Sequence, residues 1–189
     1  MADVAKETGG RVSRWRVVGW GLAAALLLAP AAAMQLTGEV RWGPADFALA
    51  AALLLAVGGS LELAVRMTAN TAYRAGAAVA LATGLLLVWS NLAVGLIGSE
   101  ENPANLLYFG VIAIAVTGIA VTRFRPGGVS RVLFVTAFAQ ALPGPIAAAA
   151  GWAPAEPGWP REIALLSLVF CGLWLLSAGL FRKAAREQR

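Results

Sequence analysis

"LLLVWSNLAVGLIGSEENPANLLYFGVIAIAVTGIAV", residues 85–121, sets two apolar runs on either side of one polar knot. The flanks, "LLLVWSNLAVGLI" and "LLYFGVIAIAVTGIAV", carry no charged residue. The knot, "GSEENPAN" at 98–105, packs two adjacent acids, two asparagines and a proline. A soluble helical hairpin would bury one stripe of each arm and show charge on the other face. These arms show no charged face. Followed to their full lengths, 75–97 and 105–122, they match the ~20 residues that a helix needs to cross a hydrocarbon core of ~30 Å.

The same pattern extends outward in both directions. Six apolar runs stand at 17–37, 45–65, 75–97, 105–122, 132–151 and 162–181. The 189 residues are 59% hydrophobic and 13% charged, against about 25% charged in soluble domains. A single water-soluble core of this size could not hide so much apolar surface. Lipid offers no hydrogen bonds, so a spanning segment must satisfy its own backbone, which a helix does. A membrane barrel would need short alternating strands, and none is visible. The expected fold is all-α: a polytopic membrane protein with six transmembrane helices as three consecutive helical hairpins. The expected organisation is a basic N-terminal segment at 1–16, a transmembrane domain at 17–182 and a basic tail at 183–189.

Charge gives an expected orientation. Lys6, Arg11, Arg14 and Arg16 precede the first run, Arg66 and Arg74 lie between the second and third, and Arg123, Arg125 and Arg131 between the fourth and fifth. Arg182, Lys183, Arg186 and Arg189 end the chain, so thirteen of the 15 basic residues fall on one side. Only Arg41 and Arg161 fall on the other. The positive-inside rule puts the larger group, and both termini, in the cytoplasm. The net charge of +5 thus follows from topology. Basic residues at helix ends, with no aromatic-interleaved patch, speak against a nucleic-acid partner. The expected partner is the lipid bilayer, with a second copy or another membrane protein left open.

The knot then lies outside, together with Glu39, Asp46, Glu156 and Glu162. Its local grammar is that of a turn. Gly98 suits a helix end, where a left-handed residue is tolerated. Asn102 suits an N-cap, Pro103 the first helical position and Asn105 the first turn. The other reading is a cation site, since Glu100, Glu101, Asn102 and Asn105 carry hard oxygen ligands. They match no recognised calcium loop.

"GPADFAL", "NPANLLY" and "WPREIAL" share the device of a proline followed two residues later by Asp46, Asn105 or Glu162. The three prolines, Pro44, Pro103 and Pro160, recur at intervals close to 58 residues. Internal repetition would give this spacing, and so would equal crossings joined by short turns. The first run, with a basic front and small Ala31 and Ala33, also resembles a signal peptide. Its uncharged stretch from Val17 to Gly38 is long enough to remain as an anchor instead.

Candidate chemistry is sparse. The chain has no histidine and one cysteine, which removes histidine ligation, histidine general-base catalysis and an internal disulfide. Cys171 reads as a small packing residue. No phosphate loop or nucleophile elbow occurs. No catalytic residue, metal ligand or cofactor site is assigned, and an enzyme built on Glu, Asp, Arg and Tyr alone is the residual alternative.

The polar residues within the apolar runs form a candidate intramembrane set: Glu62, Arg66, Asn91 and Gln140. Glu62 precedes Arg66 by one helical turn, the spacing of an i,i+4 ion pair. An acid in a membrane span is also a candidate for ion or substrate passage. Asn91 is expected about 9 Å below the outer end of the third helix, at 1.5 Å per residue, bonded to a neighbouring helix. Gln140 precedes "LPGP", where Pro143 and Pro145 deprive the carbonyls of Ala139 and Ala141 of their usual donors. Pro30 does the same to Leu26. Polar groups and breaks near mid-membrane point to transporter sites, and kinks in a packed bundle give the same pattern. Gly76, Ala80 and Gly84 form a small-residue stripe for close helix approach.

Residues 72–111 resemble the signature region of small multi-pass bacterial inner-membrane proteins of uncharacterised activity. The shared core is W-x-NLAVG-x-IGSE-x-NPAN, here Trp89, Asn91–Gly95 and Ile97–Asn105. "RFRPGG" and the later hairpin are similar too, so the resemblance spans about 45–185. It implies an inner-membrane location and no particular activity. The expectation is a structural or accessory membrane component, the alternative a small transporter or channel subunit.

Overall fold

A computed structural model of the chain describes residues 14–37 and 41–188. Lys6, Arg11, Glu39 and Arg189, which the charge reading used, lie outside the described residues. All regular structure described is helical. The helices are α1 (Arg14–Leu36), α2 (Pro44–Met67), α3 (Thr71–Ala93), α4 (Leu106–Val121), α5 (Pro126–Gln140), α6 (Pro143–Ala149) and α7 (Trp159–Glu187), with a 3₁₀ turn at Pro103–Asn105 before α4. Taken with that turn, and with α5 and α6 as one broken span, they make six helices long and apolar enough to cross a membrane. The protein is an all-α, multi-pass membrane protein.

The chain divides into two compact units, Met1–Gly59 and Ser60–Arg189. In the first, the Trp20 ring of α1 lies over Gly58 of α2, where a Cβ would come within 3.0 Å of it. α1 runs unbroken through Pro30. No residue in its apolar stretch is buried, and Val18, Leu22 and Leu28 stand open. Bare leucine faces are a liability in water and ordinary against lipid tails.

The second unit is organised around α7, which packs most extensively along α5 and α3, while α4 packs on α5. Gly76 admits α7: a Cβ there would meet Phe181 Cδ2 at 3.0 Å and Leu180 Cβ at 3.3 Å. The hydroxyl of Ser177 donates to the Gly76 carbonyl at 2.7 Å, and that of Ser130 to the Ala178 carbonyl at 2.8 Å. Leu87, Tyr108, Leu133, Phe170, Trp174 and Phe181 fill the core between these helices. Gly118 leaves room on α4 for Val132 of α5, whose Cγ1 lies 2.6 Å from where a Cβ would stand.

Three boundaries depart from the sequence reading. The third span ends at Ala93, not near residue 97, because Gly95 turns left-handed (φ +66°). The fifth begins at Pro126, with Arg125 as N-cap. Arg131 is therefore a helical residue rather than a loop residue. The last runs on to Glu187, so Lys183 and Arg186 of the expected tail continue the helix.

The arginine-rich end has a knot that the sequence reading did not anticipate. α4 stops with the Phe124 amide bonded to the Ile119 carbonyl and the Arg123 amide to that of Ala120, the two bonds of a Schellman motif. Arg123 (φ 53°) and Phe124 (φ 59°) are both left-handed, a conformation that costs a side-chain-bearing residue about 1–2 kcal/mol. The Tyr73 hydroxyl holds the Phe124 carbonyl at 3.0 Å, and its ring stands edge-on to Phe181, centroids 4.9 Å apart. Asn70 caps α3 by accepting from the Tyr73 amide at 2.8 Å and donates to Glu187 of α7 at 2.8 Å.

Candidate functional site

The knot at 98–105 is a folded object centred on Asn105, which is 5% exposed. Its Oδ1 accepts from the amides of Leu96 at 3.0 Å and Ile97 at 2.9 Å. Its Nδ2 donates to the Ser99 carbonyl at 2.6 Å. Its own carbonyl accepts from Asn91 Nδ2 at 2.8 Å. One side chain thus satisfies three backbone groups of the loop that follows α3. Left-handed Gly95 and Gly98 (φ +73°) bend the chain around it. At Gly95 a Cβ would collide with the Ser99 backbone and come within 2.6 Å of the Glu100 amide.

Asn102 does two jobs. Its Oδ1 caps the 3₁₀ turn by accepting from the Ala104 amide at 3.0 Å, with Pro103 in the first position. Its Nδ2 donates to the Trp152 carbonyl at 2.9 Å, which ties the knot to the loop before α7. Pro154 of that loop lies against Gly98. The amide oxygens of Asn102 and Asn105 are thereby committed to backbone donors. Glu100 and Glu101 are exposed. Among the described residues, no three histidine, cysteine or carboxylate groups gather where they could hold a metal ion.

Asn91 joins this knot. It occupies the last turn of α3, since the helix ends two residues later, and so lies closer to the helix end than its spacing in the sequence implied. Its Nδ2 is used, while its buried Oδ1 accepts no hydrogen bond among the described residues.

Gln140 stands elsewhere, as the last residue of α5. The break that follows is milder than two prolines imply. The Ala139 carbonyl, which Pro143 cannot serve, accepts from the Leu142 amide at 3.2 Å instead, a local tightening to the i,i+3 pattern. The tightened turn brings α6 against α7, with Gly144 facing Ile163. α6 then ends in left-handed Gly151, and the Trp152 amide bonds to the Ala147 carbonyl at 2.8 Å. That closure presents the Trp152 carbonyl to Asn102. Gln140 is 1% exposed and its Oε1 accepts no hydrogen bond among the described residues. The Tyr108 hydroxyl on α4 is equally buried beside Ser167, without a hydrogen bond of good geometry. Trp174 Nε1 likewise donates to nothing.

Glu62 and Arg66 meet through Oε1 and an Nη in an ion pair one turn apart on α2. Both side chains reach the surface, Arg66 with 67% of its area exposed. Arg74 closes the same end: its Nε donates to the Thr68 carbonyl and an Nη to that of Val65, each at 2.8 Å. The candidate polar residues therefore fall into three places: Asn91 with Asn102 and Asn105, Glu62 with Arg66, and Gln140 beside the α5–α6 break. Sequence reasoning missed the centrality of Asn105 and the Asn70–Tyr73 knot. In "NPAN" one signal was present, because a second asparagine had no capping duty left to perform.

Comparison with protein-family models, with curated proteins and with solved structures gives no match.

Proposed function

We propose that the protein is a structural or accessory component of a bacterial inner membrane, with both termini in the cytoplasm and the 98–105 knot outside. The observation that carries this reading is the use of Asn105. Its side-chain oxygen accepts two backbone amides and one of its two N–H groups donates to a backbone carbonyl, all in its own loop, and at 5% exposure the group is turned to that loop rather than to cargo. Glu62, the acid within a span, is engaged by Arg66. The resemblance of residues 72–111 to small inner-membrane proteins agrees with the location.

A small transporter or channel subunit is the second reading. It is favoured by Gln140, whose buried oxygen accepts no hydrogen bond beside a helix break. A break of this kind lines the binding site of many transporters.

Conductance and ion flux of the purified full-length protein in proteoliposomes separate the two. The structural reading expects values equal to protein-free vesicles, and equal for wild type and Gln140→Leu. A saturable flux in wild type that Gln140→Leu removes, while its melting temperature is kept, would replace the first reading with the second.

A further inference from the structure

Between α5 and α7, at the arginine-rich end, lies an open groove of about 1110 Å³. That exceeds the ~300–1,000 Å³ of ordinary small-molecule sites. Its two halves differ in chemistry. Arg131 of α5 and Arg182 and Arg186 of α7 line the end near the helix termini, and Phe134, Val135 and Leu175 line the part deeper in the span. Among the described residues, no carboxylate lines it. The ion pairs described in this region engage Lys183 with Glu187, and Asn70 also bonds Glu187. Among the described residues, none of the three groove arginines is paired with an acid. Arg131 makes one internal bond, from Nε to the Gly127 carbonyl at 3.2 Å, and its two terminal nitrogens remain available.

The apolar half is open as well. Phe134, Val135 and Leu175 are 51%, 57% and 42% exposed, too much for a packed interface within the unit. Phe138, one turn deeper on α5 and 65% exposed, stacks edge-on to Phe134 and extends the wall along the span. Small residues, among them Gly127, Ala178 and Gly179, also line the groove.

We infer that this groove is a binding site for one anionic phospholipid, its phosphate held by Arg131, Arg182 and Arg186 and an acyl chain laid along Phe134, Val135 and Leu175. The choice of occupant follows from the two halves. Guanidinium groups pair with phosphate through parallel N–H donors. Basic pockets between helices at a membrane surface take anionic headgroups. A soluble phosphate would use the basic end and leave the apolar wall bare. A zwitterionic lipid would bring a cation towards three arginines. The inference goes beyond the proposed function and requires only that the helices span a bilayer, whichever side the arginines face.

The test uses the full-length protein in mild detergent, with lipid retention read by native mass spectrometry and stability by thermal melting. Added dioleoyl phosphatidylglycerol should bind as a single retained molecule and raise the melting temperature by several degrees. Dioleoyl phosphatidylcholine and inorganic phosphate, at matched concentration, should do neither. Arg182→Gln with Arg186→Gln should lose at least tenfold in retention while melting as wild type does in phosphatidylcholine. Competition between the two lipids on wild type gives an answer even if the variant is poorly folded. Equal retention of both lipids by wild type overturns the inference. So does stabilisation by phosphate alone, which would make this an anion site without a lipid. Unchanged retention by a folded double variant places the lipid elsewhere.

Discussion

Asn105 decides what the polar knot is. An aspartate in its place would keep the two accepted bonds and lose the donor to Ser99, whereas an alanine would leave the Leu96 and Ile97 amides without partners. Each buried donor stranded in this way costs about 1–3 kcal/mol. Loss of a cap such as Asn102 costs about 0.5–2 kcal/mol, and loss of exposed carboxylates costs little. Melting temperatures in detergent should therefore fall most for Asn105→Ala, less for Asn102→Ala and least for Glu100→Gln combined with Glu101→Gln. Millimolar calcium or magnesium should leave that ranking unchanged. A double glutamate variant that is the least stable of the three, with wild type alone stabilised by the metal, would make the loop a cation site instead. Gly95 carries the next prediction. Its left-handed backbone and the nearness of Ser99 and Glu100 leave no room for a methyl group, so Gly95→Ala should cut folded yield sharply. Gly98→Ala has the Pro154 side chain at 3.2 Å as its nearest neighbour and should cost less. Equal yields for the two would show that the turn does not depend on Gly95. The capping role of Asn102 was legible because it depends on three adjacent residues. The role of Asn105 was not, because it depends on where a chain turns back on itself nine residues earlier.

At the scale of elements, the small-residue stripe of α3 separates into positions with different duties. Gly76 faces the Phe181 ring and the Leu180 Cβ, and that ring is braced by Tyr73. Overpacking of a fixed contact costs about 1–3 kcal/mol. At Gly84 the nearest atoms, on Ile112 and Trp174, lie at 3.7 and 3.9 Å. There a methyl group meets ordinary contact and gains up to ~1 kcal/mol of helix propensity. Gly76→Ala should thus lower the melting temperature while Gly84→Ala holds or raises it. The reverse order would contradict the packing of α3 on α7. The Glu62–Arg66 pair makes a smaller claim. It is largely exposed on the arginine side, so solvent screens it, and a double-mutant cycle with glutamine at both positions should give a coupling of about 0.2–0.5 kcal/mol. A coupling above ~1 kcal/mol would mean a drier environment than the fold provides. The number of spans and their centres followed from run length alone. The ends of α3, α5 and α7 did not. Arginine was read as the edge of a span, yet Arg131 and Arg182 stand inside helices, where long side chains reach the surface from a buried backbone.

Over the whole molecule, apolar composition and apolar exposure tell one story. Leucines and valines that would gather in the core of a soluble protein are spread over the outside of α1, α2, α4 and α7. The interior is held by glycine approaches, by hydroxyls bonded to backbone carbonyls across helices and by a few buried aromatics. That is the balance expected where lipid rather than water surrounds the helices. The grouping into units was hidden from the sequence. All six spans are similarly apolar, and the central place of α7 depends on close approaches such as those at Gly76 and Ser130. The proposed sidedness follows from the arginines, which cluster at one end of the spans. Ser99 is exposed in the 98–105 knot, and Gln188 is exposed just past α7. With Cys171→Ala as background, Ser99→Cys and Gln188→Cys each place a single thiol at one end of the bundle. In intact spheroplasts an impermeant maleimide should modify the Ser99→Cys variant and spare the Gln188→Cys variant until the membrane is opened. Modification of Gln188→Cys from outside would contradict the proposed cytoplasmic placement of the termini, and recovery of both variants in the soluble fraction would contradict the membrane fold itself.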